Sequence, residues 1–157
     1  MSKRTSREVR PRPCSIASAL DVIGERWSLL VLREIHMGVR RFVDIHRNTG
    51  APRDILTKRL NTLVAHGVLE KRRYWEHPER YEYYPTAAGN ELRAVLTLLD
   101  QWGTRWLPDA PHTDEPILHS CGQPLKPHVT CSTCGQELGN PDAVGAEDAA
   151  DAAPSGR

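Results

Sequence analysis

What most constrains this chain is one change of hydrophobic period, at Gly67. Before it, apolar residues recur at helical spacing in four short stretches. After it, residues rich in Val, Trp and Tyr flank a tight polar turn, and a long helical stripe closes the pattern. The expected order is helix, helix, helix, helix, hairpin, helix, an α+β chain that is mainly α.

The stretches have definable ends. Ser15 stands where a helix N-cap would, and Ile16, Leu20 and Ile23 recur as far as Gly24. A second helix runs from Arg26 to about Met37, where Trp27, Leu29, Leu30, Val31, Leu32 and Ile35 leave it apolar on nearly every side and assign it to the centre of the core. Residues 40–49 read as a third helix, with Phe42 and Ile45 turned inward and Arg40, Arg41 and Arg47 left for solvent or phosphate. After the turn Asn48-Thr49-Gly50, Pro52 is preset for the first position of a fourth helix whose stripe is Leu56, Leu60, Leu63 and Val64. Strands over 68–75 and 80–84 enclose Glu76-His77-Pro78-Glu79. Thr86 then caps a last helix reaching Trp106, with Leu92, Val95, Leu96, Leu99, Trp102 and Trp106 on one face.

A length of 157 residues suits one such domain with an appendage, and the apolar runs stop well short of the roughly 20 residues a membrane span needs. The basic N-terminus lacks the apolar run of a signal peptide, so a soluble, cytoplasmic protein with no membrane partner is expected. The formal charge of +1 conceals a polarity: residues 1–107 carry 19 Lys+Arg against 12 Asp+Glu, or +7, and residues 108–157 carry 2 against 8, or −6. A basic body suits a polyanionic partner. The expected parts are a flexible basic arm over 1–13, the helical and hairpin domain over 14–107, and a Pro-marked linker over 108–118. A Cys/Gly segment over 119–139 and a disordered acidic tail over 140–157 complete the chain.

The element order is that of a winged helix-turn-helix, in which one helix enters the DNA major groove while the hairpin rests on the backbone. The fourth helix turns Asp54, Thr57, Lys58 and Asn61 away from its Leu stripe, with Arg53 in its first turn and Arg59 at the flank. Arg and Lys suit guanine, Asn suits adenine, and Thr meets a phosphate or the thymine methyl. Any exposed helix face is polar, so the conjunction with the hairpin is what gives these residues meaning. On the hairpin, Lys71, Arg72, Arg73 and Arg80 cannot all face one phosphate row, because adjacent strand residues point opposite ways. Some must pair with Glu70, Glu79 or Glu82, and His77 and Arg80 near the tip are expected on the DNA backbone. Tyr74, Trp75, Tyr81, Tyr83 and Tyr84 are expected as cross-strand pairs and core rather than base-stacking groups.

On these motifs the chain resembles the bacterial HxlR-type transcriptional regulators, winged-helix proteins related to the multiple-antibiotic-resistance regulators. The resemblance spans about 14–107. It rests on Cys14-Ser15-Ile16, on Leu20-Asp21-Val22-Ile23-Gly24-Glu25-Arg26-Trp27, on Arg40-Arg41-Phe42, and on Leu56-Thr57-Lys58-Arg59-Leu60. Gly67-Val68-Leu69 and Tyr81-Glu82-Tyr83, followed by Thr86-Ala87-Ala88-Gly89, complete it. The resemblance implies a homodimer joined through its first and last helices, bound to an inverted-repeat operator on double-stranded DNA, with repression the expected sense. The apolar face from Leu92 to Trp106 asks independently for a second protomer, having more to bury than one chain can cover. Trp102 and Trp106 fit interface core, or else the wall of a small-molecule effector pocket between protomers. Glu25 stands where the family often has glycine.

The cysteines leave two questions open. Cys14 is either a small buried hydrophobe or an oxidant-sensing thiol, activated by a helix N-terminus with Arg10 and Arg12 nearby. The resemblance adds that some family members are regulated through a cysteine at this position. Downstream, Cys131-Ser132-Thr133-Cys134-Gly135 has the spacing of a metal knuckle, and Cys121 would take the fourth partner from His119, His112 or His128. With His119 the set is Cys₃His, suited to a tetrahedral structural zinc. A redox-active or adventitious Cys131/Cys134 pair and a ribbon that has lost its metal are the alternatives. Family members with a similar tail imply an appended ribbon.

No GxSxG, HExxH, P-loop or GxGxxG occurs and no carboxylates pair at a recognisable spacing, so no enzyme is expected. The rival is a zinc-ribbon interaction adaptor with non-specific nucleic-acid binding, which salt-dependent binding without sequence preference would reveal.

Overall fold

A computed structural model of the chain describes residues 12–107, 109 and 118–138. Most of the expected arm with Arg10, most of the linker with His112, and the acidic tail lie outside the described residues. In chain order the elements are α1 (Ser15–Ile23), α2 (Arg26–His36), α3 (Phe42–Thr49), α4 (Arg53–Ala65), β1 (Leu69–Trp75), β2 (Arg80–Pro85) and α5 (Ala87–Trp106). The chain divides by its contacts into two units, Met1–Leu96 and Thr97–Arg157. Among the described residues, no helix is long and apolar enough to cross a membrane.

In the first unit α2 is the hub, as its nearly all-apolar surface requires. Val31, Leu32 and Ile35 are fully buried, and α1, α3, α4 and β2 pack around the helix that carries them. They meet Ile45 of α3, Leu56, Leu60 and Leu63 of α4, Val68 and Leu69 at the head of the hairpin, and Tyr83 of β2. Each fully buried Leu, Ile or Val contributes about 1.5 to 3 kcal/mol. A buried carboxylate, Glu34, lies among them. It accepts from Arg33 Nε and Nη2 at 3.1 and 2.7 Å and from Asn48 Nδ2 at 2.7 Å, tying α2 to the end of α3.

The turn from α3 to α4 is held at several points. Gly50 adopts φ 69°, a left-handed conformation that suits glycine, and its N–H donates to the His46 carbonyl at 3.0 Å. Thr49 Oγ1 donates to the Ile45 carbonyl at 2.7 Å, and His46 Nδ1 donates to the Ala51 carbonyl at 2.8 Å. Ala51 is fully buried, so the angle between the two helices is fixed by packing as well as by hydrogen bonds. Pro52 takes an extended conformation as the N-cap residue rather than the first helical position, and α4 starts one residue later than expected.

Two further boundaries differ from the sequence expectation. The third helix begins at Phe42, because Arg41 is extended and the backbone of residues 40 and 41 pairs with β2. Arg41 bridges Glu82, and the Tyr83 N–H donates to the Arg40 carbonyl at 3.0 Å, so this backbone is used across the sheet rather than along a helix. At α1, Cys14 rather than Ser15 is the N-cap residue and gives no side-chain cap bond.

β1 and β2 pair antiparallel with Glu70 against Tyr84, Arg72 against Glu82 and Arg73 against Tyr81, and a bulge before Trp75 sets it against Arg80. At α5 the expected cap is present: the Gly89 N–H donates to Thr86 Oγ1 at 3.2 Å, while that hydroxyl donates to the Gly67 carbonyl at 2.6 Å. Gly89 is buried against the hairpin. A Cβ there would stand 2.2 Å from the Val68 carbonyl oxygen, so this approach of helix to strand requires glycine.

The second unit holds the end of α5 and, among the described residues, the segment 118–138. No residue of that segment is buried, and its backbone closes on itself only at two isolated bridges, Leu118 with Pro124 and Thr130 with Glu137.

Candidate nucleic-acid interface

α4 shows two faces. Leu56, Leu60 and Leu63 are fully buried, whereas Arg53, Asp54, Thr57, Lys58 and Asn61 are exposed. The side chains of Lys58 and Asn61 make no hydrogen bond or ion pair among the described residues. The Arg53 guanidinium lies over the Phe42 ring at 6.0 Å, and the residue stays exposed. Thr57 Oγ1 donates to the Arg53 carbonyl at 2.8 Å, so its hydroxyl proton is spent on the helix while the side chain stays exposed.

Other expected contact residues are already engaged. Arg59 is only 9% exposed and lines a shallow depression with Leu20, Asp21, Gly24 and Glu25, facing α1 rather than the polar side of α4. Arg40 is half-buried, donates through Nη1 to the Ile35 carbonyl, and lies over the Tyr84 ring. Arg41 donates to Glu82 at 2.9 Å and sits over Tyr74. That bond, with a second from the Tyr84 hydroxyl, holds the Glu82 carboxyl below the usual range.

The hairpin cations divide as strand geometry demands. Arg72 pairs with Glu70 and lies over Tyr84, Arg73 pairs with Glu76 and Glu79, and Lys71 sits 3.7 Å above the Tyr81 ring. His77 and Arg80 at the tip are exposed, and their side chains have no hydrogen bond or ion pair among the described residues. Of the aromatics, Tyr83 joins the core as expected, but Tyr74, Tyr81 and Tyr84 lie under the cations Arg41, Lys71, and Arg40 with Arg72, and Trp75 Nε1 donates to the His77 carbonyl at 3.0 Å. Tyr74 and Trp75 are exposed rather than packed. Glu34, His46 and Asn48, which fix the presentation of α4, were not singled out by the sequence pattern. Asn48 is visible there only as a turn residue.

Both terminal helices carry unpartnered apolar side chains: Ile16 and Leu20 on α1, and Val95, Leu99, Trp102 and Trp106 on α5 are exposed. Cys14 is exposed as well, which sets aside its reading as a buried hydrophobe within one chain.

In the Cys-rich segment all three cysteines are free and exposed. The Cys131 thiol is pulled from 9.0 down to about 7, first by the Cys134 amide, then by the Thr133 amide and the Cys134 thiol, which all converge on its sulfur. His119 Nδ1 lies 3.2 Å from Cys121 Sγ. His128 Nδ1 is paired with Glu137. Among the described residues, no three His, Cys, Asp or Glu side chains converge on a common point.

A helix pair braced by a buried core, presenting a polar second helix beside a cation-bearing hairpin, defines the winged helix-turn-helix class of transcriptional regulators. The model of the HxlR-like helix-turn-helix family matches residues 22–111, and the chain belongs to this family. It is 43% identical over 127 residues, 79% of each chain, to Rv3095 of Mycobacterium tuberculosis, described as an HTH-type transcriptional regulator. The crystal structure of PA1607, described as a candidate transcription factor, is similar at 32% identity and a TM-score of 0.71, covering 87% of this chain and 96% of that one. The reduced form of the redox regulator HypR is similar at 25% identity and a TM-score of 0.55, covering 61% of this chain and 98% of that one.

Proposed function

We propose that the protein is a homodimeric repressor of an inverted-repeat operator, with α4 in the major groove and the hairpin on the neighbouring backbone. The observation that carries this reading is the exposed row Arg53, Lys58 and Asn61 opposite the buried Leu stripe of α4, with Lys58 and Asn61 free of competing partners among the described residues. Thr57 adds its exposed side chain, and His77 and Arg80 serve as backbone contacts. Arg40, Arg41 and Arg59 are left out of the contact set, since burial or pairing already employs them. The exposed apolar residues of α1 and α5 support a second copy as the partner, with the two recognition helices about 34 Å apart in successive grooves.

Footprinting on the DNA upstream of the chain's own gene tests this. A two-fold symmetric footprint is expected. An unsymmetrical footprint, or salt-dependent binding with no sequence preference, would favour the adaptor reading instead. Asn61→Ala should cost about 1 to 3 kcal/mol at particular base pairs, whereas Arg80→Ala should weaken all sequences alike and lower the salt dependence by about one unit.

An oxidant is the effector favoured by the exposure of Cys14 at the N-terminal end of α1 and by the similarity to a structure described as a redox regulator. If Cys14→Ser leaves the response of DNA binding to mild peroxide unchanged, this effector is excluded.

A further inference from the structure

The segment 118–138 is built from two copies of one small turn. In the second copy, the Cys131 N–H donates to the Gln136 carbonyl and the Gly135 N–H to the Cys131 carbonyl, both at 2.8 Å; Gly135 has φ 75°, and Thr130 pairs with Glu137 at the base. In the first, the His119 N–H donates to the Gln123 carbonyl and the Gly122 N–H to the His119 carbonyl, both at 2.9 Å; Gly122 has φ 82°, and Leu118 pairs with Pro124. His119 therefore stands where Cys131 stands, Cys121 where Cys134 stands, Gly122 for Gly135 and Gln123 for Gln136.

The polar contacts inside the turns correspond too. The Cys134 amide points at the Cys131 sulfur. The Cys121 amide donates to His119 Nδ1 at 3.4 Å, and Cys121 Sγ lies 3.2 Å from the same nitrogen. His119 Nδ1 thus occupies the place of a sulfur, with its lone pair presented as an acceptor. One residue separates His119 from Cys121, while two separate Cys131 from Cys134, and the longer reach of the imidazole makes up the difference.

We propose that these two knuckles form one zinc-binding module, with Zn²⁺ held by His119 through Nδ1 and by the sulfurs of Cys121, Cys131 and Cys134. Each knuckle supplies one pair of ligands, and the ion joins the pairs. Binding displaces three thiol protons to solvent and changes no oxidation state, leaving a tetrahedral Cys₃His site with no open position for water, which makes the metal structural. The segment has need of it: Leu118, Val129 and Leu138 are exposed, Leu125 is only half-buried, and no residue of the segment is buried, so among the described residues no apolar core holds these turns together. His128 is excluded from the ligand set by its pairing with Glu137.

The test uses the full chain, purified reduced and without chelator, and its outcome does not depend on the DNA-binding reading. Elemental analysis is expected to find one zinc per chain. Cobalt substitution should give a tetrahedral spectrum with thiolate-to-metal absorption of three thiolates, a readout that needs no variant. Cys121→Ser and Cys131→Ser should lose the metal, and His119→Ala should hold it at least about tenfold more weakly against a competing chelator, while His128→Ala keeps it. Long-range proton–nitrogen spectra should show ligation through Nδ1 of His119. Well under one metal per reduced chain after exposure to zinc, a cobalt spectrum of only two thiolates, or a Cys131→Ser protein with its full metal would overturn the site. Metal loss in His128→Ala but not in His119→Ala, or ligation through Nε2, would overturn the assigned ligand.

Discussion

The winged-helix unit and the Cys-rich segment are held by opposite means. The first buries a contiguous set of aliphatic side chains from four elements around α2, and its hydrogen bonds mostly fix angles between parts already packed. The second buries nothing and is shaped by local backbone turns around four side chains of ligand type. The contrast teaches that about 20 residues with three exposed aliphatic side chains need a different source of order from a chain of ~90 with a core.

The sharpest way to break the comparison is to damage one region and read both. Leu60→Ala should cost the first unit about 2 to 5 kcal/mol by leaving a cavity among Leu32, Leu56 and Leu63, while the metal content of the Cys-rich segment stays unchanged. Thermal unfolding by circular dichroism with parallel elemental analysis checks this. If the metal were lost together with the fold under native conditions, the two regions would not be independent.

Gly89→Ala should come next, at about 3 kcal/mol, because the new methyl meets the Val68 carbonyl oxygen and must push α5 off the hairpin. An unchanged melting temperature in this variant would contradict the close approach. Glu34→Ala should cost about 2 kcal/mol, since it leaves the Asn48 amide without its acceptor and loosens α3 from α2. Its effect on operator affinity should exceed that of Arg72→Ala, a surface pair outside the helix-turn-helix. Equal effects of the two variants would argue against a positioning role for Glu34.

The smallest effect is a pH dependence in the first unit alone. Burial, with Arg93 and Arg40 nearby, lowers the pKa of His36 below 6.5, against the opposing bond from its Nε2 to the Gly89 carbonyl. The unfolded chain then binds the proton more readily, so stability is complete above pH 6.5, declines as the pH falls beneath that value, and levels off below the folded pKa. His36→Gln should flatten this part of the curve. A variant with the same slope as the unaltered chain would assign the dependence elsewhere.

Much of the architecture was legible because it depends on local spacing. The Leu stripe of α4, the polar turn after Trp75, the Thr86 cap and the apolar density of α2 are all set by residues within a turn or two of each other, and each is found where the sequence indicates. The start of α3 differed because distant chain segments compete for the same groups. Residues 40 and 41 have an acceptable helical sequence, yet β2, some 40 residues later, takes their backbone and the Arg41 side chain, shortening α3 and spending two cations that looked available for phosphate.

The same division explains the candidate sites. Sequence by itself determined the helix-hairpin order, the polar face of α4 and the ligand-type residues of the tail, because periodicity and short spacings fix them. Only the tertiary structure decided that Arg59 turns toward α1, that cations lie over Tyr81 and Tyr84, and that His119 repeats the place of Cys131. Each of those outcomes depends on which group lies across a long-range contact or on how the backbone bends, and linear spacing carries neither.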